Sequence, residues 1–330
     1  MSNYWIERAE ALELEREILL KKALRTSTGH YQHALREIDK EIKAFYAQYA
    51  GENGVSLHEA TKALTGKELS QTIGVEKYTA MAKAGQDVKG LGLKARVSRL
   101  DALKFQINEH INALGKAESA HLTKFLGATY EDTYYKNIFE VFKGEGVGSS
   151  FNQLDNRKIK IALNKPWSVP EDNFSSRIWT NKARLQATLD KELTRATITG
   201  RNVEEVVKDV AKTMDTSLYN ASRLVQTEEA HMANMARDEC YQEMGVDQYQ
   251  IVCTLDERTC PICGDFDGKV FNNADRVEGV NSPPFHPNCR CTDAPYYSTL
   301  KKSGRVARGK DKKTYQLDEH MTYNEWIKTI

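Results

Sequence analysis

Tyr31–Tyr49 reads YQHALREIDKEIKAFYAQY, and the spacing within it decides the fold class. Tyr31, Leu35, Ile38, Ile42, Phe45 and Tyr49 recur at alternating intervals of four and three, which aligns them along one seam of an α-helix packed nearly parallel to a partner. Arg36, Glu37, Asp39, Lys40, Glu41 and Lys43 fill the opposite, solvated face. The pattern is that of a bundle core rather than a free coiled-coil dimer. Upstream, residues 3–25 carry Trp5, Ala9, Leu12 and Leu19 in a similar stripe. Thr26-Ser27-Thr28-Gly29 lies between the two segments and has turn composition, so the pair is expected to form a helical hairpin.

Working outward, residues 51–92 read as short helices broken by glycines. A long helix is expected next, with Leu93, Val97, Leu100, Ile107, Ile111 and Leu114 on one face and Lys104 interrupting it. Lys143–Ser150 (KGEGVGSS) has hinge composition, and Lys165–Pro170 reads as irregular. Asn202 is placed to cap a helix burying Val203, Val206, Val207, Val210 and Met214, and Thr216 or Ser217 to open another. On that last helix, Arg223, Thr227 and Glu228 are spaced to form a structural polar cluster. After Tyr241 the texture changes. Tyr249–Thr254 is β-branched and aromatic, and Asp267-Gly268 turns into a second strand at Lys269-Val270-Phe271.

Composition narrows the function classes. Of 330 residues, 40% are hydrophobic and 28% charged, enough for cores under a heavily solvated surface. Net charge is +1, so nucleic-acid contact has to come from a local patch. No run approaches a membrane span, and the acidic N-terminal stretch lacks the features of a secretory signal. A cytoplasmic, thiol-reducing setting is therefore expected, in which clustered cysteines point to metal rather than disulfides.

The cysteines are clustered. All six lie between Cys240 and Cys291, four of them in the CPIC…HPNCRC constellation. Cys260-Pro261-Ile262-Cys263-Gly264 supplies two thiols on a tight turn, and 22 residues separate Cys263 from His286 in His286-Pro287-Asn288-Cys289-Arg290-Cys291. Zinc takes four N or S ligands in a tetrahedron. Cys260, Cys263, His286 and Cys289 are the first-choice ligands of a structural Zn2+, with Cys291 a fifth candidate able to replace His286 or Cys289. Four protein ligands leave no open position for substrate, which argues against metal catalysis. Cys240 and Cys253 read as plain core residues.

Other chemistries fit less well. A dithiol redox motif belongs at a helix start, whereas here a turn sequence, Gly264–Gly268, follows the second cysteine. A nucleobase deaminase lacks its upstream H-x-E. An HNH-like nuclease needs a further histidine as base, and only His320 follows His286. Phosphate-loop, H-E-x-x-H and G-x-S-x-G motifs are missing. No enzyme activity and no small-molecule substrate are expected. After Tyr297, the stretch 301–313 holds Lys301, Lys302, Arg305, Arg308, Lys310, Lys312 and Lys313 against one Asp. It reads either as a solvated tail or as a sequence-blind, salt-dependent contact to DNA phosphates.

Three segments together resemble a known family: Leu255–Cys263 (LDERTCPIC), Asp267–Phe271 (DGKVF) and Pro283–Thr292 (PPFHPNCRCT). The chain resembles the phage head-morphogenesis proteins, minor capsid proteins of the phage Mu F type, over about residues 180–295. The helical segment Arg223–Glu228 fits the same family. The Tyr4-Trp5 start and heptad helix resemble, more loosely, the version in phages of Gram-positive bacteria. The resemblance implies a few-copy virion protein, made in the bacterial host cytoplasm and carried in the head. Its implied partners are the portal, procapsid and scaffold proteins and double-stranded DNA, with no membrane. Some relatives carry an enzymatic domain after the signature, and the 35 residues after Pro295 are too few for one. The rivals are an HNH-like zinc nuclease and a cellular zinc-module adaptor.

The expected fold is mainly α, an N-terminal helical hairpin or bundle and a helical core, followed by a small α+β zinc-stapled C-terminal module. The expected domains are 1–142 (N-terminal helical), 143–240 (helical part of the head-morphogenesis domain), 241–300 (zinc module) and 301–330 (basic linker and tail).

Overall fold

Helices dominate the computed structural model, which describes residues 3–53, 56, 99–145, 154–167, 172–199, 201–298, 305–308 and 314–317. In chain order these form α1 (Asn3–Asn53), α2 (Arg99–Glu145), α3 (Asn156–Asn164), α4 (Phe174–Thr199) and α5 (Val203–Met244). There follow β1 (Gln248–Val252), α6 (Pro261–Phe266), β2 (Val270–Asn272), a 3-10 turn at Asn273–Asp275, and β3 (Thr292–Pro295). A separate pair, β4 (Arg305–Arg308) and β5 (Thr314–Leu317), comes last. The expectations for residues 57–98, 146–150, 169–170, most of 301–313 and 318–330 lie outside the described residues.

The expected N-terminal hairpin is instead one helix of 51 residues. Its turn-like residues are overruled by burial. Ser27 is fully buried and continues the buried line of Ala23, Tyr31, Ala34 and Ile38, while Gly29 is exposed with open space around it. A mid-helix glycine costs about 1 kcal/mol, less than the apolar contacts a break would forfeit. Nearer the N-terminus Leu19 faces out, and Arg16 occupies the inner face between half-buried Leu12 and buried Ala23. The expected break at Thr216-Ser217 is also absent, since α5 runs 42 residues without interruption. The Thr216 hydroxyl donates back to the Lys212 carbonyl at 3.1 Å, and buried Ser217 faces inward, so neither acts as a cap. Asn202 does cap α5, its Oδ1 accepting from the Glu204 amide at 2.8 Å.

The chain divides into two compact units. One comprises Arg25–His121 and Ser175–Ser222. Its core interleaves Ile38 and Ile42 of α1, Ile107 and Ile111 of α2, Leu189 of α4 and Val210 of α5. The α2 stripe is unbroken, because Leu103 fills the place between Leu100 and Ile107 and Lys104 turns aside. Gly115 permits a close approach here, since a Cβ on it would stand 2.8 Å from Cζ3 of Trp179.

The other unit comprises Met1–Leu24, Leu122–Phe174 and Arg223–Ile330. Trp5 is buried with Val141, Val252 and Ala294, and its ring lies against Tyr297. The Tyr4 hydroxyl donates to Glu140 Oε2 at 2.8 Å, and Arg8 also binds that carboxylate. The three-stranded sheet has the order β2-β1-β3, both pairings antiparallel. Within the stretch expected as basic linker and tail, β4 and β5 pair antiparallel, with Arg305 opposite Leu317 and Arg308 opposite Thr314. Val306 and the Thr314-Tyr315 pair supply the β-forming residues.

Candidate metal centre

The sheet register begins the site. Val252 pairs with Thr292, so the next residue on each strand, Cys253 and Cys291, face each other just beyond the ladder. Their sulfurs are 2.8 Å apart, and Cys253 Sγ lies 3.0 Å from the Cys263 carbonyl oxygen. The chain then turns through Asp256, whose Oδ1 accepts from the Arg258 amide, and reaches α6. Cys260 is the N-cap of α6, with its sulfur toward the Cys263 amide and Pro261 in the first turn. The sequence predicts a turn directly after Cys263. Instead a six-residue helix forms and the turn comes later, where the Asp267 amide bonds to the Cys263 carbonyl and Gly268 takes φ +77.

The second cluster sits on a tight turn. The Cys289 amide donates to the His286 carbonyl at 3.1 Å, and Asn288 adopts φ 63, a conformation asparagine tolerates. Thr227 of α5 holds this turn, its hydroxyl accepting from the Asn288 amide at 3.1 Å. His286 Nδ1 is 2.8 Å from the Pro287 carbonyl, which requires a proton on Nδ1 and leaves Nε2 as the lone-pair nitrogen. Nε2 lies 3.0 Å from both Cys260 Sγ and Cys263 Sγ. Cys263 and Cys289 sulfurs are 3.8 Å apart, the edge of a tetrahedron with metal–sulfur bonds of about 2.3 Å.

The five residues singled out in the sequence fall into two groups that share Cys263, so the four first-choice ligands are divided between them. Cys260, Cys263 and His286 form one group able to hold a metal ion, and Cys263, Cys289 and Cys291 a second. Cys253, read as a plain core residue, is buried and belongs to neither group, but its sulfur touches that of Cys291. Only pairing across the sheet reveals this contact, because 37 residues lie between Cys253 and Cys291. Cys240 is a fully buried thiol whose pKa burial pushes up. Within the cluster, hydrogen bonds from Cys263 and then Cys291 pull the Cys289 thiol down despite its burial. The contact with Cys289 in turn pushes Cys263 up, and Cys291 is raised first by Cys253. A metal ion would replace these shared protons and require thiolates throughout.

Charged side chains brace the two halves. Arg290, between Cys289 and Cys291, grips Asp256 with bonds of 2.7 and 2.6 Å. Burial raises the Asp256 carboxyl, but Arg290 outweighs it and holds the group below the ordinary range. Beneath the sheet, Asp293 is likewise held down by Arg276 and Arg237 against its burial. Arg276 also reaches Asn234 Oδ1 at 2.6 Å.

Of the expected Arg223–Thr227–Glu228 cluster, Thr227 bonds back to the Arg223 carbonyl and Glu228 accepts from Trp167 Nε1 at 3.1 Å. The sequence reading missed His231, whose Nδ1 is 2.7 Å from Glu278 Oε1 and whose ring stacks on Trp167. At 2% exposure it is packed inside rather than presented to solvent. The signal was a polar series at Glu228, His231, Asn234 and Arg237, three apart on α5. Of the proposed nucleic-acid residues, Arg305 and Arg308 lie on β4, and Lys301, Lys302, Lys310, Lys312 and Lys313 lie outside the described residues.

Fold and site together define a long-helix scaffold carrying a cysteine–histidine module on a small antiparallel sheet. Residues 187–294 match the family of phage Mu protein F like proteins, bearing out the resemblance for the segment that runs from mid-α4 through both donor clusters. No curated protein and no solved structure matches the chain. Among the described residues, no helix is long and apolar enough to cross a membrane.

Proposed function

We propose that this chain is a minor head protein of a tailed phage or prophage, acting by binding other proteins of the head and not by catalysis. The match over residues 187–294 carries the reading, because it contains the whole cysteine–histidine signature. The long helices offer extended surfaces for the portal and for procapsid or scaffold proteins. The basic stretch 301–313 is the candidate contact to double-stranded DNA, neutralising phosphates without reading sequence.

In this reading the module is closed by structural zinc. Cys260 and Cys263 from the start of α6, with His286 and Cys289 from the turn held by Thr227, are the first-choice ligands, and Cys291 the reserve. The ion would tie the two turns together in a unit with a small core of its own. Arg290 and Asp256 brace the two ligand loops against each other.

The test is complementation. A phage lacking this gene is supplied with the wild-type chain or with Cys263→Ser/Cys289→Ser. Wild type is expected in gradient-purified heads and the variant excluded from them. Incorporation of the variant at wild-type level would overturn the zinc staple. Absence of the wild-type chain from complete heads would overturn the head assignment.

A further inference from the structure

Cys253 lies outside both groups able to hold a metal ion, yet it is buried with its sulfur 2.8 Å from that of Cys291. That separation is too short for two ligands of one tetrahedral zinc, whose sulfurs stand about 3.8 Å apart. It is nearer the sulfur–sulfur bond of a cystine, about 2.05 Å. We infer that Cys253 and Cys291 form a modification site, a dithiol that closes to a disulfide in oxidising surroundings while the group of Cys260, Cys263 and His286 stays intact. The survival of that group as a metal site rests on the zinc reading above; the disulfide does not.

The backbone sets the pair. Val252 is opposite Thr292 in the antiparallel β1–β3 ladder, so Cys253 and Cys291 are the next opposed residues at the end of the sheet. Directly opposed residues of antiparallel strands have Cα atoms about 4.5 or 5.5 Å apart, within the roughly 4.4–6.8 Å that a disulfide spans. The two sulfurs need to close by less than about 1 Å, a movement side-chain rotation supplies without shifting the strands. Cys263 and Cys289 sulfurs stand farther apart, at 3.8 Å. The new bond strands no polar group. The Cys253 thiol now donates to the Cys263 carbonyl at 3.0 Å, and that carbonyl keeps the Asp267 amide at 3.1 Å when the thiol proton is gone.

The oxidant is a small-molecule disulfide. One cysteine sulfur attacks it, forming a mixed disulfide and releasing one small thiol; the facing cysteine then attacks the protein sulfur of that bond and releases the second. Both protein protons leave on the two released thiols, the protein sulfurs are oxidised and the small disulfide is reduced. Burial slows entry, but the pair lies at the sheet end, where Thr254 is exposed and Arg290 half-buried, so opening of that end alone admits the reagent. Closure ties β1 to β3 covalently and takes Cys291 out of the group it forms with Cys263 and Cys289. A reducing cytoplasm keeps the dithiol open and an extracellular medium favours the closed form.

The experiment takes the full chain, purified in zinc with its thiols reduced, and equilibrates it with glutathione disulfide. Intact mass, non-reducing peptide mapping and zinc content are then read. The expected result is the loss of two hydrogens per chain, a single cross-linked peptide pair joining Cys253 to Cys291, its reversal by added thiol, and zinc retained throughout. Cys253→Ala is expected to gain no cross-link and to keep its zinc. Cys253 and Cys291 still free at equilibrium, or cross-links among Cys260, Cys263 and Cys289 in their place, would overturn the proposal. The Cys253–Cys291 cross-link forming with loss of zinc would show Cys291 to be a ligand and overturn the separation of the two sites. A chain that holds no zinc at the outset but still forms this cross-link would overturn the zinc reading and leave the disulfide standing.

Discussion

Replacing Lys182 with methionine is expected to stabilise the unit of residues 25–121 and 175–222 near neutral pH and to flatten its pH dependence. Lys182 sits on α4 at 3% exposure. Its Nζ donates to the Tyr31 hydroxyl and stands 3.8 Å from the centre of that ring. Burial pushes its pKa from 10.5 down to about 7, against the pull of Glu118, which is itself 2.7 Å from His30. In the unfolded chain the amine titrates near its ordinary value, so between about pH 7 and 10.5 the unfolded chain binds more protons and stability rises with pH. Below about pH 7 the folded amine is charged and the destabilisation is complete. At about 1.4 kcal/mol per unit the effect reaches a few kcal/mol, with a cation–π contact worth up to about 2 kcal/mol favouring the charged form. Methionine keeps the length and the apolar stem. It does not strand the Tyr31 hydroxyl, which retains Asn181 Nδ2 at 3.2 Å and the Ser217 carbonyl at 3.3 Å. Urea unfolding followed by helical circular dichroism should place Lys182→Met about 2 kcal/mol above wild type at pH 7, the gap closing as pH approaches 10. A gap that does not change with pH, or a less stable variant at pH 7, would refute this reasoning.

Three further outcomes are expected. Gly115→Ala gains about 1 kcal/mol of helix propensity but drives a methyl to 2.8 Å from Trp179, an overpacking that costs about 1–3 kcal/mol; a thermal melt should show a lower Tm, and a higher one would contradict the close approach. Arg16 holds Glu229 with two bonds of 2.8 Å in the interior, so Arg16→Met should cost about 3–5 kcal/mol by leaving a buried carboxylate unpaired. Adding Glu229→Gln should return most of that loss in a double-mutant cycle, and a loss under 1 kcal/mol for Arg16→Met alone would mean that solvent reaches the pair. Stripping metal with a chelator should abolish hydrogen-exchange protection across 248–295 while the core helices of 25–121 stay protected, an outcome contradicted by unchanged protection in 248–295.

Local patterns in the sequence carried much of this architecture. The seam around Ile38 and Ile42 lies in the core, Asn202 caps its helix, and Asp267-Gly268 makes the turn into β2. The CPIC and HPNCRC donors lie in two groups able to hold a metal ion, with Cys263 common to both. What escaped reading was set by tertiary contacts. Thr26–Gly29 has the composition of a turn, and only the burial of Ser27 beside Tyr31 explains why α1 continues. Thr216 looks like a cap until its hydroxyl is seen bonded to Lys212. Cys253 meets Cys291 because Val252 pairs with Thr292, a register no local pattern encodes. His231 and Glu278 are 47 residues apart, and their contact depends on how α5 packs under the module.

The most direct test of the head assignment is mass spectrometry of gradient-purified procapsids and mature particles from cells producing this chain. The account predicts the chain at a few copies per particle, co-sedimenting with the portal protein. Finding it only in the soluble fraction of cells that make complete heads would contradict it.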